Sequence, residues 1–473
     1  MDIILLQRDL RLIDNPALFY GSKKRNYCVI YVYDKNYWKS YGRSSRQLKF
    51  AIDCLSELDK NLKRINSKVF IHEGSFESLG VVIKREFSNF NIHLNHCTDN
   101  IYHREDIKKF IKSFNDNEIK IYDNFGLQLK EFNRDTWSRD WNKIMSKPLL
   151  EIPEISNFNK KIPLQEFKDF EKKNIIEKHE LDEIQVGGEK LALELLNSFF
   201  EYRADGYRKK MSCPNEAETA CSRLSPHIAF GSISLRKVYQ SLSDALITSN
   251  FKNDLYSFKK RLHWHCHFIQ KLETEPELEY KSMHPHCDKL REIEDKELIE
   301  KWINGETGFP FLDACLIYLR KTGWINFRMR AMIMSFASYN LWQPWQLTSP
   351  LLAELFTDFE PGIHISQVQM QSGVTGINLP RIYSVYKQSF DQDPSAEWIK
   401  SIIPSLKKID LDLIHNAELK DIYLEKIVDP KKTAAKARES VWSMRKNTEF
   451  KKLAKEVFIK HGSRRTQRFN RMR

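Results

Sequence analysis

"RQLKFAIDCLSELDKNLKRI", residues 46–65, decides how the first part of the chain folds. Leu48, Ile52, Leu55, Leu58 and Leu62 recur at spacings of three and four, which places them on one face of a helix. The helix lies between two short apolar runs, "VIYVYD" (29–34) and "VFIHEG" (69–74), whose β-branched and aromatic content favours strands. A strand, a crossover helix and a second strand make a parallel βαβ unit.

Further runs of the same kind, "IILL" (3–6), "IHL" (92–94) and "IKIYD" (119–123), extend the alternation, so residues 1–135 are expected to form a parallel α/β, Rossmann-like domain. No G-x-G-x-x-G follows the first strand, and a standard dinucleotide site is not expected there. Residues 136–186 read as an interdomain linker, because 150–186 mixes prolines, charges and asparagines with weak periodicity. After "GGEK" (187–190) helical patterns dominate, with tryptophans and arginines interleaved from 258 to 345. The expected architecture is an N-terminal α/β domain, a large all-helical domain over 187–430 and a basic tail over 431–473. With 473 residues, more than one domain is expected, since single cores rarely exceed about 250–300 residues.

"RLHWHCHFIQKL" (261–272) raises the question of a metal. Zinc favours imidazole and thiolate, but Leu262, Phe268, Ile269 and Leu272 mark a helix on which only His263 and His267 share a face. No CxxC completes a site. No metal is expected, and the helix reads as lining a cavity. The eight cysteines lack paired spacing, which suits a reducing compartment. The start, "MDIILLQRDLRLIDNPAL", turns charged after six residues and no apolar run reaches membrane-spanning length, so a soluble, cytoplasmic protein is expected.

The formal net charge is +13. Residues 431–473 alone carry fifteen Lys or Arg against three Glu, a composition that suits either phosphate tracking or a solvated tail.

Several segments, collinear from residue 5 to residue 406, carry a resemblance: "LLQRDLRLIDNPAL" (5–18), "GGEKLALELL" (187–196), "CSRLSPHIAFGSISLRKVY" (221–239), "WINGETGFPFLDACLIYLRKTGWINFRMRAM" (302–332) and "GINLPRIYSVYKQSFDQDPSAEWIKSIIPSL" (376–406). Together they resemble the photolyase/cryptochrome superfamily. The resemblance implies FAD in the helical domain, with Tyr207, Cys221, Ser222, Leu224 and Ser225 at its phosphates. On the residues alone, "CSRLS" offers two hydroxyls at a helix start, which is also what an ordinary N-cap looks like. Arg328 and Arg330 with Asp358 and Glu360 are expected as a buried cluster, because buried charges must pair. By resemblance Arg330 pairs with Asp358 beside the flavin, and Glu360 accepts from the ring's N3–H or the ribitol. Phe258, Arg261, His265 and Phe327 complete the implied cofactor set, and Trp264, His265, His364 and Trp345 the implied catalytic set. Trp264 falls where the family stacks a flipped pyrimidine dimer; packing into a core is the alternative.

The pattern also departs from the family. Cys221 stands for a usual threonine, Glu360 for an aspartate and Arg261 for a lesion-binding glutamate. His364 stands for the asparagine beside flavin N5, and Met370 for a second lesion-facing tryptophan. Val368 stands for the inner tryptophan of the electron-transfer chain; Trp345 matches its middle member, and no tryptophan lies in 288–296 for the outer one. The resemblance thus implies a divergent deoxyribodipyrimidine photolyase-like branch acting on UV-damaged DNA as a monomer, with a cyclobutane dimer as lesion. A cryptochrome that binds FAD and repairs nothing is the rival, and a nucleic-acid-binding protein without flavin a third reading. Residues around "DNIYHRED" (99–106) match no single antenna chromophore.

Overall fold

In the computed structural model, which describes residues 1–129, 132–174 and 183–462, all five expected strands form: β1 (Asp2–Leu6), β2 (Tyr27–Tyr33), β3 (Val69–Glu73), β4 (Asn91–Asn95) and β5 (Ile119–Tyr122). Every residue of β1 and β2 is buried, as strands covered on both faces require. The sheet order is β5-β4-β1-β2-β3-β6, parallel throughout except for β6 (Gln165–Glu166), which runs antiparallel to β3. Four helices pack around the five parallel strands: α1 (Pro16–Gly21), α2 (Ser45–Lys63), α3 (Phe76–Glu86) and α4 (Ile101–Lys112). Side chains cap three of them: Asn15 accepts from Leu18 N, Ser75 from Ser78 N and Asn100 from His103 N. The α2 stripe falls as expected, with Ile52, Leu55, Leu58 and Leu62 buried and Leu48 packed at the margin.

The segment expected as a linker is more structured than its weak periodicity suggests. Helix α5 (Trp137–Met145) inserts Trp137, Trp141 and Met145 into the core of the helical domain. β6 covers the exposed edge of β3, and α6 (Phe167–Lys173) buries Phe167 and Phe170 against α2. Few residues do this, so no period had room to show.

The helical domain begins at α7 (Glu189–Ser198). Its largest core gathers around the helix Pro310–Thr322, with Trp302, Phe309, Phe336 and Trp345 fully enclosed. The helix Lys252–Thr274, which contains the histidine-rich stretch, lies against the helix Pro361–Gln371. They approach so closely at Gly362 that a Cβ there would sit 2.6 Å from Ile269 Cα. Gly231 (φ +69°) plays the same part between domains: a Cβ would meet the Arg8 carbonyl oxygen at 2.2 Å.

The basic C-terminal segment is not a tail over its described length. Pro430–Lys446 and Thr448–His461 are helices, capped by Asp429 and Asn447, and they bury Ala437, Val441, Phe450 and Val457. Phe450 stacks on His284 with centroids 3.7 Å apart. Residues 463–473, which hold the last run of arginines, lie outside the described residues.

Candidate active site

The site is assembled from the ends of five segments: the loop 221–225, the helix Lys252–Thr274, the helix Phe327–Ser335, the "DFEPG" turn and the end of β1. Arg330 and Asp358 meet as expected. Nη1 and Nη2 of Arg330 each donate to one Asp358 oxygen at 2.9 Å, and its Nε donates to the Ile325 carbonyl at 2.7 Å. This fork-on-fork geometry fixes the guanidinium plane, with Phe356 4.1 Å beneath it.

Glu360 behaves differently from the expectation. Its carboxylate accepts from Nη1 and Nη2 of Arg8, at 2.7 and 3.3 Å. Arg8, at the end of β1, is also ion-paired with Asp99, its Nε 3.1 Å from one carboxylate oxygen, and Arg43 grips the other. Two guanidinium groups and two carboxylates therefore close the interface between the domains. Burial disfavours the charge on Asp99, but Arg43 and Arg8 outweigh it and hold the carboxyl far below its usual range. Glu360 is pushed up by burial, against the pull of Arg8. Arg8 was missed because one arginine following an apolar strand reads as an ordinary surface charge; its full burial is a tertiary fact. Cys97, Asp99 and His103 lie close enough together to hold a metal ion. Both Asp99 oxygens already face arginine, however, and a cation there would be repelled. Arg328 joins no carboxylate among the described residues, and its buried Nε has no partner.

Around Cys221 the arginines converge. Arg223, Arg203, Arg261 and Arg330 all act on its thiol, whose pKa burial nevertheless raises to about 11. Arg203 donates to the carbonyls of Cys221 and Ser222 and orders this turn. Arg223 adopts φ +61° and stacks 4.0 Å over Trp324. Ser225 opens a short helix, and its hydroxyl caps nothing; Ser222 Oγ accepts weakly from Leu224 N at 3.4 Å. Neither serine spends its hydroxyl on the ordinary N-cap. Leu224 and Phe258 belong to the core, where Phe258 packs on Phe199 and Tyr207.

At the rim stand Trp264 and Phe327, 46% and 47% exposed. The Arg261 guanidinium lies between them, 5.1 Å from the first ring centre and 5.7 Å from the second. Trp264 is thus not a core residue. Of the remaining residues of the histidine-rich stretch, Cys266 is buried, and His263 packs edge-on against Trp137 and Trp141. His267 accepts from Arg134 at 2.5 Å. The expectation that these histidines line the cavity is therefore corrected for His263 and His267, which face α5. His265 is set against Phe125, and burial, with a lesser contribution from Arg8, lowers its pKa to about 3. A pKa that low keeps the imidazole neutral near pH 7, so it brings no charge to the site.

His364 points its Nε2 at the Ser349 carbonyl, 3.0 Å away, and at Ser349 Oγ, which in turn meets the Tyr41 hydroxyl at 2.5 Å. Burial lowers its pKa to about 4. Trp345 is enclosed, donating to Ser282 Oγ at 3.0 Å; Val368 is core, and Met370 is half-buried.

The donor set fits a dinucleotide such as FAD. Four arginines surround one turn, and only Asp358 among the described residues pairs with any of them. Arg223 Nη1, Arg328 Nε and Asn326 Oδ1 are buried without partners. A diphosphate and a polar ring edge would satisfy such groups.

Known proteins give the same answer. Residues 2–123 match a family model described as DNA photolyase, and residues 258–443 one described as the FAD binding domain of DNA photolyase. The deoxyribodipyrimidine photo-lyase of Alkalihalophilus pseudofirmus is 29% identical over 247 residues, 51% of this chain and 50% of that protein. The chain thus spans about half the length of that curated relative. Cryptochrome-1 of Macaca fascicularis is 25% identical over 443 residues, 85% of this chain and 73% of the relative. A class III photolyase from Agrobacterium tumefaciens superposes with a TM-score of 0.83 at 21% identity, covering 94% of this chain and 98% of that one, which establishes the shared fold. With an α/β domain, an FAD-binding helical domain and both family models matched in order, the chain belongs to the photolyase/cryptochrome superfamily.

Proposed function

We propose that the protein repairs UV-induced pyrimidine dimers in DNA under blue light, a lyase reaction with the cyclobutane dimer as preferred lesion. The observation that carries this reading is the rim: two half-exposed aromatic rings flank one guanidinium at the entrance to an arginine-rich interior. A base turned out of the duplex loses its stacking, and an aromatic surface restores about 1–3 kcal/mol per base. The net charge of +13 suits a polyanionic partner. Reduced FAD, when bound, supplies the light-driven electron chemistry.

The residues of the chain bind and orient. Arg330, locked by Asp358, presents a fixed positive charge to the ring region. Arg223 and Arg203 order the turn that would hold the phosphates, while Tyr207, Ser222 and Ser225 offer hydroxyls there. His265, held neutral, offers a hydrogen bond without a charge. No described helix is long and apolar enough to cross a membrane, and all eight cysteines are unpaired, which supports a reducing, cytoplasmic setting.

A second reading, a blue-light receptor that binds FAD without repair, draws support from the cryptochrome-1 match over 85% of the chain against 51% for the photo-lyase. Incubating the flavin-loaded protein with dimer-containing oligonucleotides, in blue light and in darkness, separates the two. Light-dependent loss of dimers is the expected result; intact dimers with full flavin content would select the receptor.

Trp264→Ala is expected to weaken binding of lesion DNA by about 1–3 kcal/mol and to leave undamaged DNA unchanged. Titrating matched oligonucleotides with and without a dimer checks this, and equal weakening of both would remove Trp264 from lesion contact.

Because Val368 interrupts the usual aromatic chain, an electron crossing the protein needs another path, and the aromatics available are Trp345, Trp342 and Tyr339. The last two sandwich the buried Arg291, at 4.6 and 5.2 Å. At least one of Trp345→Phe, Trp342→Phe and Tyr339→Phe is expected to slow bleaching of the yellow colour under blue light with reductant. Wild-type rates in all three place the path elsewhere.

A further inference from the structure

A groove of about 460 Å³ lies between residues 380–388 and the helix Pro430–Lys446, away from the residues assigned to the flavin. Arg381, Lys387 and Arg438 line it and no carboxylate does. Lys387 has an exposed neighbour in Asp391 at 3.6 Å, a pairing worth little in water. Arg381 and Arg438 form no ion pair among the described residues, and pairing is what unused basic side chains in a groove offer to an anion. Trp442 opens one side, 41% exposed.

A second observation lies in the groove wall. Gln388 is only 6% exposed, yet its Oε1 has no hydrogen-bond partner. A buried amide oxygen without a donor is costly, and such groups in native structures call for an explanation. The oxygen is enclosed while the groove is empty, so an N–H group entering the groove would reach it once the amide turns outward. An aromatic face, an acceptor for an N–H and flanking cations are together the requirements of one nucleotide: base, base edge and phosphate. Every nucleobase carries an N–H on its Watson–Crick edge, so the arrangement does not select sequence.

One helix ties the groove wall to the rim. The helix Phe327–Ser335 starts at the rim aromatic and ends under the groove, where Ser335 Oγ donates to the Arg381 carbonyl and accepts from Tyr383 N, both at 3.1 Å. Its nine residues, eight steps of rise, span about 12 Å, a separation that an extended strand covers in a few nucleotides. The helix Pro430–Lys446 is anchored by Ala437 and Val441, which pack on Tyr339, so Trp442 stands on a fixed base.

We propose that this groove binds one nucleotide of an unpaired DNA strand, with its base on Trp442 and Gln388 and its phosphates on Arg381 and Arg438. The site is distinct from the one that would take a lesion, and it stands whether or not the protein repairs DNA.

The test is fluorescence anisotropy, in darkness, of an undamaged labelled single-stranded oligonucleotide of about twelve nucleotides with the flavin-loaded full chain. Trp442→Ala is expected to weaken binding about tenfold, and Trp442→Phe to restore most of it, because either ring stacks. The double variant Arg381→Ala/Arg438→Ala is expected to flatten the slope of log affinity against log salt by about 1.4, at about 0.7 per phosphate. Unchanged affinity in Trp442→Ala with an unchanged salt slope in the double variant overturns the proposal. Equal weakening of an undamaged duplex by Trp442→Ala overturns it too, as does saturation of the groove by free thymidine monophosphate at the oligonucleotide's own affinity. Flavin content and melting temperature equal to wild type in these variants place the effect in the groove. Neither lesion nor light enters the assay, so an absence of repair bears on the repair reading alone.

Discussion

Asp358→Ala protein purifies without yellow colour. The substitution removes both oxygens that orient Arg330 and leaves a guanidinium with one remaining bond, to the Ile325 carbonyl. Charge-assisted bonds contribute about 1.5–3 kcal/mol each, so the site loses far more than a tenfold margin of affinity. Released from Asp358, Arg330 is free to leave the plane it shares with the site and stack more fully on Phe356. Flavin absorbance per mole of protein is the measurement. Asp358→Asn, which keeps one acceptor, is expected to retain an intermediate amount. Full colour in Asp358→Ala would sink the assignment of this pair to cofactor retention.

The second large effect lies at the domain interface. Asp99→Asn leaves Arg8 and Arg43 buried with half of their counter-charge, and breaking a buried pair in this way costs about 3–5 kcal/mol. Denaturant unfolding measures it. The pH dependence follows from the same carboxylate. Its folded pKa lies well below the usual value, so its contribution is complete above the unfolded pKa of about 3.9 and disappears as pH falls through the folded one. Wild type therefore loses stability steeply below about pH 4, and Asp99→Asn loses it with a shallower slope. A variant as stable as wild type, with an unaltered acid limb, would show that the interface rests on other contacts. Because Arg8 also holds Glu360, which opens the helix Pro361–Gln371, flavin content is expected to fall along with stability.

The fold was legible wherever a local period coincided with an element. The α2 stripe, the five apolar strand runs and the helical pattern of 261–272 each carry their own evidence, because the face that must be buried repeats every 3.6 or every 2 residues. Arg330 with Asp358 was legible for another reason: buried charges must pair, and the two segments resemble known ones. The elements that went unread are short or joined to a distant partner. Helix α5 and β6 have too few residues to show a period, and α5 is stable only because Trp137 and Trp141 find the helix Lys252–Thr274. The C-terminal helices are basic enough to suggest a solvated tail, and their few apolar residues matter only through what they meet, as Phe450 meets His284.

By itself, then, the sequence determined the order of domains, the hand-off from sheet to helices and the types of residue at the site. Which carboxylate belongs to which arginine was a decision of the tertiary structure. Asp358 and Glu360 lie two residues apart and are chemically alike, yet one turns to Arg330 within its own domain and the other to Arg8, 352 positions away. Asp358 sits in the turn closed by Phe359 N–H on the Phe356 carbonyl and Glu360 in the extended backbone after it, and only the packing of the two domains sets which cation waits on each.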